Sequence, residues 1–398
     1  MADVLLSRRA SFKQAITTAR SNRTEPHAHI WISNDAKMRY FYRPALLTLQ
    51  AGLLSANMTA QLTSWQWSVL EDLGPGDVFI FVGVASLDPF KRRLKALTDK
   101  GVLTVFYSTE ADFAHKCSLK QSIHVREVWE YTQSNVLCCQ SFSRRPWRYV
   151  PPGYIPRIQM AASAATAKHL SFIGSSNVHY DKRRSCLRKV ARGLMLAADS
   201  STSERNLTQC ADRLCIPGFC AKTCALRIRN GLLDDSKWDK ELSGTASFLN
   251  VHKGCNGSAL ASVAACESFR FAPLLSAGAE IFSEHCHPAD EAEYAGLIQF
   301  APVGDLPKLA ATSWRDGDVD GPQRRLEAFK QRFSPSVIFE RAGITAMLAA
   351  NRAVWQIGGR QAHLQLRNSS GRFGVPAGGG KFSSQVESAL LPRPSHCH

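Results

Sequence analysis

Three stretches of the chain carry residue types that could do chemistry at spacings that would bring them to a ligand. His252-Lys253 follows the predicted strand Ala246–Val251, so an imidazole and an ammonium fall just past a strand end. Open α/β sheets present side chains to ligands at such ends. There His252 can move a proton and Lys253 can meet a phosphate. Glu284 closes a second short strand, Glu280–Glu284, and reaches the same edge, where it can accept from ligand hydroxyls or cap the next turn. His252 and Glu284 are the candidate catalytic groups. Glu267 and Arg270 stand three residues apart, a spacing that pairs them on one helix face or lets the guanidinium reach an anion. Gly174-Ser175-Ser176-Asn177 joins a strand, His169–Ile173, to a helix, Asp181–Arg192. Loop N–H groups and a helix N-terminus of this kind form a cradle for phosphate. Gly174, Ser175, Lys253, Glu267 and Arg270 are the candidate ligand-binding residues.

The elements that must position these groups read as alternating strands and helices. His29–Ser33 is β-prone, and Pro44–Asn57 spaces Leu46, Leu47, Leu49 and Leu53 for a helix. Val78–Gly83 is an almost continuous apolar strand. Asp88 with Pro89 opens a helix that Gly101 ends, and Val102–Tyr107 is the next strand. An apolar strand, a crossover helix and a second apolar strand predict parallel pairing. Glu127–Asn135 reads as a helix, with Trp129 and Asn135 in structural roles. Three prolines and a glycine in Tyr149–Pro156 then interrupt any helix or central strand and mark a stiff boundary.

The alternation restarts after that boundary. The pattern resumes at Leu232–Lys240, and helix is predicted for Ala259–Leu275, Gln323–Phe333 and Ser336–Ala350. Glu280–Glu284 is the last predicted strand. Residues 193–230 lose periodicity and read as an insertion. Residues beyond Gly358 are rich in Gly, Ser and Pro, a composition that predicts disorder. The expected organisation is a basic extension (1–24), a first α/β domain (25–150), a second (151–345, with the insertion 193–230) and a terminal helix end and tail (346–398).

Composition narrows the function classes. The 398 residues are 44% hydrophobic, enough for a sizeable core, and no run approaches the length of a membrane-spanning helix. The formal charge is +16. Residues 25–180 and 231–344 together carry no net charge, so the excess lies in 1–24, 181–230 and 345–398. Basic ends poor in aromatics fit loose polyanion contact rather than a dedicated nucleic-acid face. The first 23 residues lack a secretory apolar core, which leaves an amphipathic helix or a short organellar signal, and a cytoplasmic protein is expected.

The 12 cysteines are scattered apart from Cys210, Cys215, Cys220 and Cys224, whose spacing suits no common zinc motif. Free thiols in a reducing compartment are the expectation. His285-Cys286-His287 points its side chains in different directions and reads as no metal site, and Asp316-Gly317-Asp318 reads as a solvated loop. No G-x-G-x-x-G follows a predicted strand, which argues against a nicotinamide-dependent oxidoreductase.

Several segments in order resemble one family. They are Glu127–Asn135, Tyr149–Tyr154, Phe172-Ile173-Gly174 with Arg183-Arg184, Phe248–His252, and Glu267–Gly278 running into Phe282-Ser283-Glu284. Together they resemble glycosyltransferases of the GT-B architecture, in the group that includes spore-maturation-type and exopolysaccharide transferases. The likeness spans about residues 27–345. It implies two Rossmann-like domains facing a cleft, with a nucleotide-sugar donor on the second and a glycan, lipid or protein acceptor on the first. It implies metal-independent transfer, no bound cofactor, and a Glu267 carboxylate that accepts from the donor ribose. Eight residues later, where related retaining enzymes often carry a second Glu, this chain has Leu275. A catalytically inactive sugar- or nucleotide-binding protein of the same fold is the alternative.

Overall fold

The computed structural model describes residues 25–32, 39, 41–63, 68–83, 88–109, 117, 124–141, 143, 145–156, 160–162, 169–174, 181–198, 226–229, 235–252, 255, 264–353 and 355–356. The basic extension, the Cys210–Cys224 cluster and the tail beyond Gly358 lie outside them. The chain is α/β with two parallel sheets.

The first sheet contains β1 (His27–Ile32), β2 (Thr59–Thr63), β3 (Val78–Gly83), β4 (Leu103–Ser108), β5 (Glu127–Glu130) and β6 (Trp147–Tyr149). Their order is β2-β1-β3-β4-β5-β6, with every pairing parallel. The helices between them are α1 (Arg43–Ser55), α2 (Ser68–Glu71), α3 (Asp88–Asp99) and α4 (Gln133–Gln140). Central strands covered on both faces must be apolar throughout, and β3 and β4 obey this, buried along nearly their full length.

The second sheet contains β7 (Leu170–Ile173), β8 (Leu226–Arg229), β9 (Ser247–Asn250), β10 (Glu280–Ser283) and β11 (Gln299–Phe300). Its order, β11-β10-β9-β7-β8, is again parallel throughout. The helices of this half are α5 (Asp181–Ala198), α6 (Asp235–Ser243), α7 (Ser268–Leu275), α8 (Pro288–Glu293), α9 (Leu306–Asp316), α10 (Gly321–Phe333) and α11 (Pro335–Arg341). Counted within each sheet, both place the second strand outside the first and grow the other way from the third. Each therefore has one point where consecutive crossovers leave in opposite directions. In the second sheet that point lies between β7 and β9.

One apolar cluster joins the halves. It runs from Ile30, Leu49 and Val105 through Trp129 to Phe271, Ile281, Phe333 and Phe339. Helix α11 returns to the first half, where the Phe339 ring lies against Gly52 of α1. Trp129, fully buried, donates to Glu127 at 3.0 Å and meets Phe339 edge-on at 5.7 Å. Across the same boundary, Asp290 of α8 accepts from the backbone N–H of Ser134 at 2.9 Å and from its hydroxyl at 2.7 Å. Helix α4 thus has its N-terminal N–H capped by a carboxylate from the other half.

Four expectations need correction. Glu127–Glu130 is a strand and the helix begins only at Gln133, because Val128 and Trp129 fill a central, fully buried strand position. The stretch 193–230 is not wholly an insertion: α5 continues to Ala198, and 226–229 is β8, an edge strand hydrogen-bonded to β7. The cysteines are not all free thiols. Cys117–Cys139, Cys186–Cys255 and Cys266–Cys286 are disulfides with Cα separations of 5.2, 6.4 and 5.3 Å. Partners 20 to 69 residues apart in sequence become neighbours only through the sheets, so spacing does not reveal them. The predicted Ala259–Leu275 helix is present as α7 only, since 264–267 is irregular and 256–263 lies outside the described residues.

Candidate active site

The switch point between β7 and β9 sets the location. Ligands of open parallel sheets lie outside the carboxyl ends of the strands at such a point. β7 ends at Ile173 and runs into Gly174. β9 ends at Asn250, two residues before His252. β10, beside β9, ends at Ser283, one residue before Glu284. Three parallel strands thus deliver three of the nominated residues to one edge. Glu267 arrives separately, as the residue before α7, and Arg270 sits in the first turn of that helix.

The Glu267 side chain does not cap its own helix. It turns instead to two guanidiniums. Arg183 Nη2 donates to its Oε1 at 3.1 Å and Arg270 Nη2 meets its Oε2 at 2.7 Å. His252 Nδ1 stands 3.7 Å from Oε1. Arg183 is 2% exposed and Arg270 14%, while Glu267 keeps 27% of its side chain open. Burial alone would raise the Glu267 carboxyl, but Arg270, the His252 imidazole and Arg183 outweigh it and hold the group well below the usual carboxylate range. Burial lowers the Arg270 guanidinium from its ordinary value, with Glu267 opposing.

Both arginines are seated before any ligand arrives. Each guanidinium lies over the Phe172 ring, at 5.5 Å for Arg183 and 5.3 Å for Arg270. Arg270 also donates to the Asn250 side-chain oxygen, and Asn250 donates to Ser283 at 3.0 Å. A Cβ at Gly174 would come 3.0 Å from Arg270 Nη2 and 3.0 Å from the Phe172 ring, so the glycine makes room for the guanidinium. Glu284, nearly buried, accepts the His252 backbone N–H at 3.1 Å. Burial raises its carboxyl above the ordinary value, only partly offset by His252. His252 Nε2 is buried and has no hydrogen-bond partner among the described residues.

The structure therefore brings Gly174, His252, Glu267, Arg270 and Glu284 together. Ser175 and Lys253 lie outside the described residues. Sequence reasoning missed Arg183, Phe172 and Asn250 as site residues. Arg183 was visible in the first turn of the helix that follows the glycine loop. Phe172 and Asn250 carry no comparable signal, because an aromatic inside an apolar strand reads as core. Of the other motifs, Cys286 is in a disulfide, His285 Nδ1 lies 3.0 Å from Glu291, and His287 accepts from Ala289 N–H to cap α8. Asp316 ends α9, Gly317 is its left-handed cap, and Asp318 pairs with Arg324.

The arrangement can do two things chemically. Two buried guanidiniums on an aromatic ring can neutralise charge on a dianionic group such as a diphosphate. A carboxyl of raised pKa beside an imidazole with one uncommitted nitrogen can accept or relay a proton.

The first turn of α7 also meets the first half of the chain. Phe269 packs against Tyr131 at 4.8 Å, Tyr42 at 5.2 Å and Phe41 at 5.7 Å between ring centroids. The charged cluster is thus one helical turn from the other half.

No family model and no curated protein sequence matches the chain. Among solved structures, the chain is similar to the pneumococcal O-GlcNAc transferase GtfA in complex with UDP and GlcNAc, at 10% identity and a TM-score of 0.43, covering 71% of this chain and 59% of that one. It is similar to an Escherichia coli trehalose-6-phosphate protein bound with UDP-2-fluoro glucose, at 12% identity and 0.44, covering 81% and 83%. It is similar to a glycosyltransferase from Rickettsia africae, at 8% identity and 0.44, covering 84% and 98%.

Proposed function

We propose that the chain moves a sugar from a nucleotide-sugar donor to an acceptor hydroxyl, as a GT-B glycosyltransferase. The observation that carries this reading is the convergence of Arg183, Arg270, Glu267 and His252 at the switch point of the second sheet. In the transfer, the acceptor oxygen bonds to the anomeric carbon and the bond from that carbon to the phosphate oxygen breaks. The electron pair leaves with the nucleoside diphosphate, and the acceptor proton passes to a protein base or to the departing phosphate.

The proposed roles follow from position. Arg183 and Arg270 neutralise the diphosphate without a metal, and backbone N–H groups at Gly174 and Ser175 with the Lys253 ammonium extend that cradle. Glu267 orients both guanidiniums and uses its remaining lone pairs for donor hydroxyls. Glu284 and His252, adjoining the same cluster, handle the proton. The acceptor, a glycan, lipid or protein, approaches from the first half over the Phe41, Tyr42 and Phe269 rings.

A second reading, binding without turnover, is favoured by two observations. Leu275 stands where related retaining enzymes often place a second Glu, and both Glu267 oxygens are already engaged by arginines. One experiment separates the readings. The protein is incubated with a panel of nucleotide sugars, with nucleoside diphosphate release and thermal-shift binding followed together. Release establishes transfer or hydrolysis, and binding without release supports the silent form. Absence of both across the panel overturns the nucleotide-sugar reading.

A further inference from the structure

Of the five ionisable groups that meet at the switch point, four lie within three residues of a half-cystine, and Arg270 is four residues after Cys266. Arg183 is one helical turn before Cys186, His252 is three residues before Cys255, Glu267 directly follows Cys266, and Glu284 is two residues before Cys286. The pairing is not random with respect to charge. Cys186–Cys255 joins the carrier of Arg183 to the carrier of His252, and Cys266–Cys286 joins the carriers of the two carboxylates.

The segments so joined need holding. His252 and Glu267 both stand outside regular strands and helices, as does the whole of 264–267. Ala264 accepts from His287 N–H at 2.7 Å, and Cys266 N–H reaches Asp290 at 3.4 Å. Two carboxylates in one partly buried site repel each other. Mutual attraction across Glu267 gathers the opposite charges, but nothing in it fixes how far apart the like charges sit. A disulfide confines its two Cα atoms to about 4.4–6.8 Å. All four half-cystines are buried, so the cross-links lie beneath the charged surface rather than in it.

We infer that Cys186–Cys255 and Cys266–Cys286 are positioning cross-links of the nucleotide site, and that opening them disperses the site while leaving the sheets folded. The nucleotide part of this rests on the proposed function; the local loosening does not. Opening is a two-electron reduction. A dithiol gives up two electrons and two protons, its sulfurs close to a disulfide, and the cystine becomes two thiols. Ligand binding is accordingly tied to oxidising surroundings, where such bonds persist.

The test uses the full chain, oxidised and then treated with graded dithiothreitol, with opened bonds identified by alkylation and mass mapping. Amide exchange is read over 264–271 and 284–290, and UDP affinity is read by calorimetry. Opening should raise exchange in those segments about tenfold or more while β9 and β10 stay protected. It should weaken UDP by about tenfold or more, the scale expected when bound geometry shifts by an ångström. The double variant Cys117→Ser/Cys139→Ser, which removes the disulfide of the first half, should keep UDP affinity within about twofold while losing thermal stability. Unchanged exchange with both bonds open overturns the inference. So does exchange rising equally through both sheets, or an equal affinity loss in the Cys117/Cys139 variant. If the oxidised protein binds no UDP, a uridine donor is excluded and the exchange result alone decides the cross-links' role.

Discussion

Glu267 and Glu284 are two carboxylates in one site with opposite perturbations, and their substitutions should behave oppositely. Glu267 is depressed in the folded chain, so its stabilisation is complete above the ordinary carboxylate value of about 4.3 and is lost as pH falls toward the lower folded value. Glu267→Gln should lose about 3 kcal/mol at neutral pH, because two buried guanidiniums lose their counter-charge. Its urea midpoint should also fall less steeply on acidification than that of the parent. Glu284 is raised, so its protonation favours the fold, and that contribution fades as pH climbs through the folded value. Glu284→Gln keeps an oxygen for the His252 N–H and should be as stable as the parent or more so at pH 7, yet lose about 100-fold or more in turnover. A Glu284→Gln protein that is both unstable and active would remove Glu284 from the chemistry.

Gly174 makes a narrower prediction at the same scale. Gly174→Ala places a methyl against Arg270 and Phe172, so the apparent KM for the donor should rise severalfold with thermal stability little changed. Steady-state kinetics with a responsive nucleotide sugar would show this directly.

At the scale of elements, the turn after α7 is the most constrained joint near the site. Gly278 has a positive φ of 72°, and a Cβ there would lie 2.0 Å from the Pro322 carbonyl oxygen. Gly278→Ala should cost about 3 kcal/mol or more, from left-handed strain and a backbone collision that no rotamer relieves. A urea titration matching the parent's midpoint would refute the packing of α10 on this turn.

Elements also show how legible the fold was. Strand β3 announces itself because two-sided burial demands a continuous apolar run, and β4 and β9 follow from apolar centres bounded by turn or helix signals. β5 and β8 do not, for different reasons. The β5 sequence Glu-Val-Trp-Glu places two buried acids at its ends, one satisfied by Trp129 and Arg148. β8 alternates Leu226 and Ile228 with arginine, of which Arg227 is exposed, at the sheet edge and inside a region whose composition looks like loop. The site residues at strand ends were readable from position alone. Arg183 and Phe172 matter only because three separate segments meet, and that is a property of the tertiary structure.

At the scale of the whole molecule, Asp290 ties the halves together. Its carboxylate accepts three donors, two from Ser134 and one from Cys266, so Asp290→Ala would strand buried N–H groups on both sides of the boundary. A loss of about 2 kcal/mol or more is expected, read as a lower urea midpoint by circular dichroism. The disulfides belong to this scale as well: no local spacing rule finds pairs that only the assembled sheets bring together.

Among the described residues the polypeptide passes between the halves at 150–156 and again near 334, and the two passages touch. Tyr154 N–H donates to Phe333 carbonyl oxygen at 2.7 Å, and Gly153 lies against the same oxygen. A Cβ at position 153 would stand 2.4 Å from that oxygen, so any side chain there would have to prise the two passages apart.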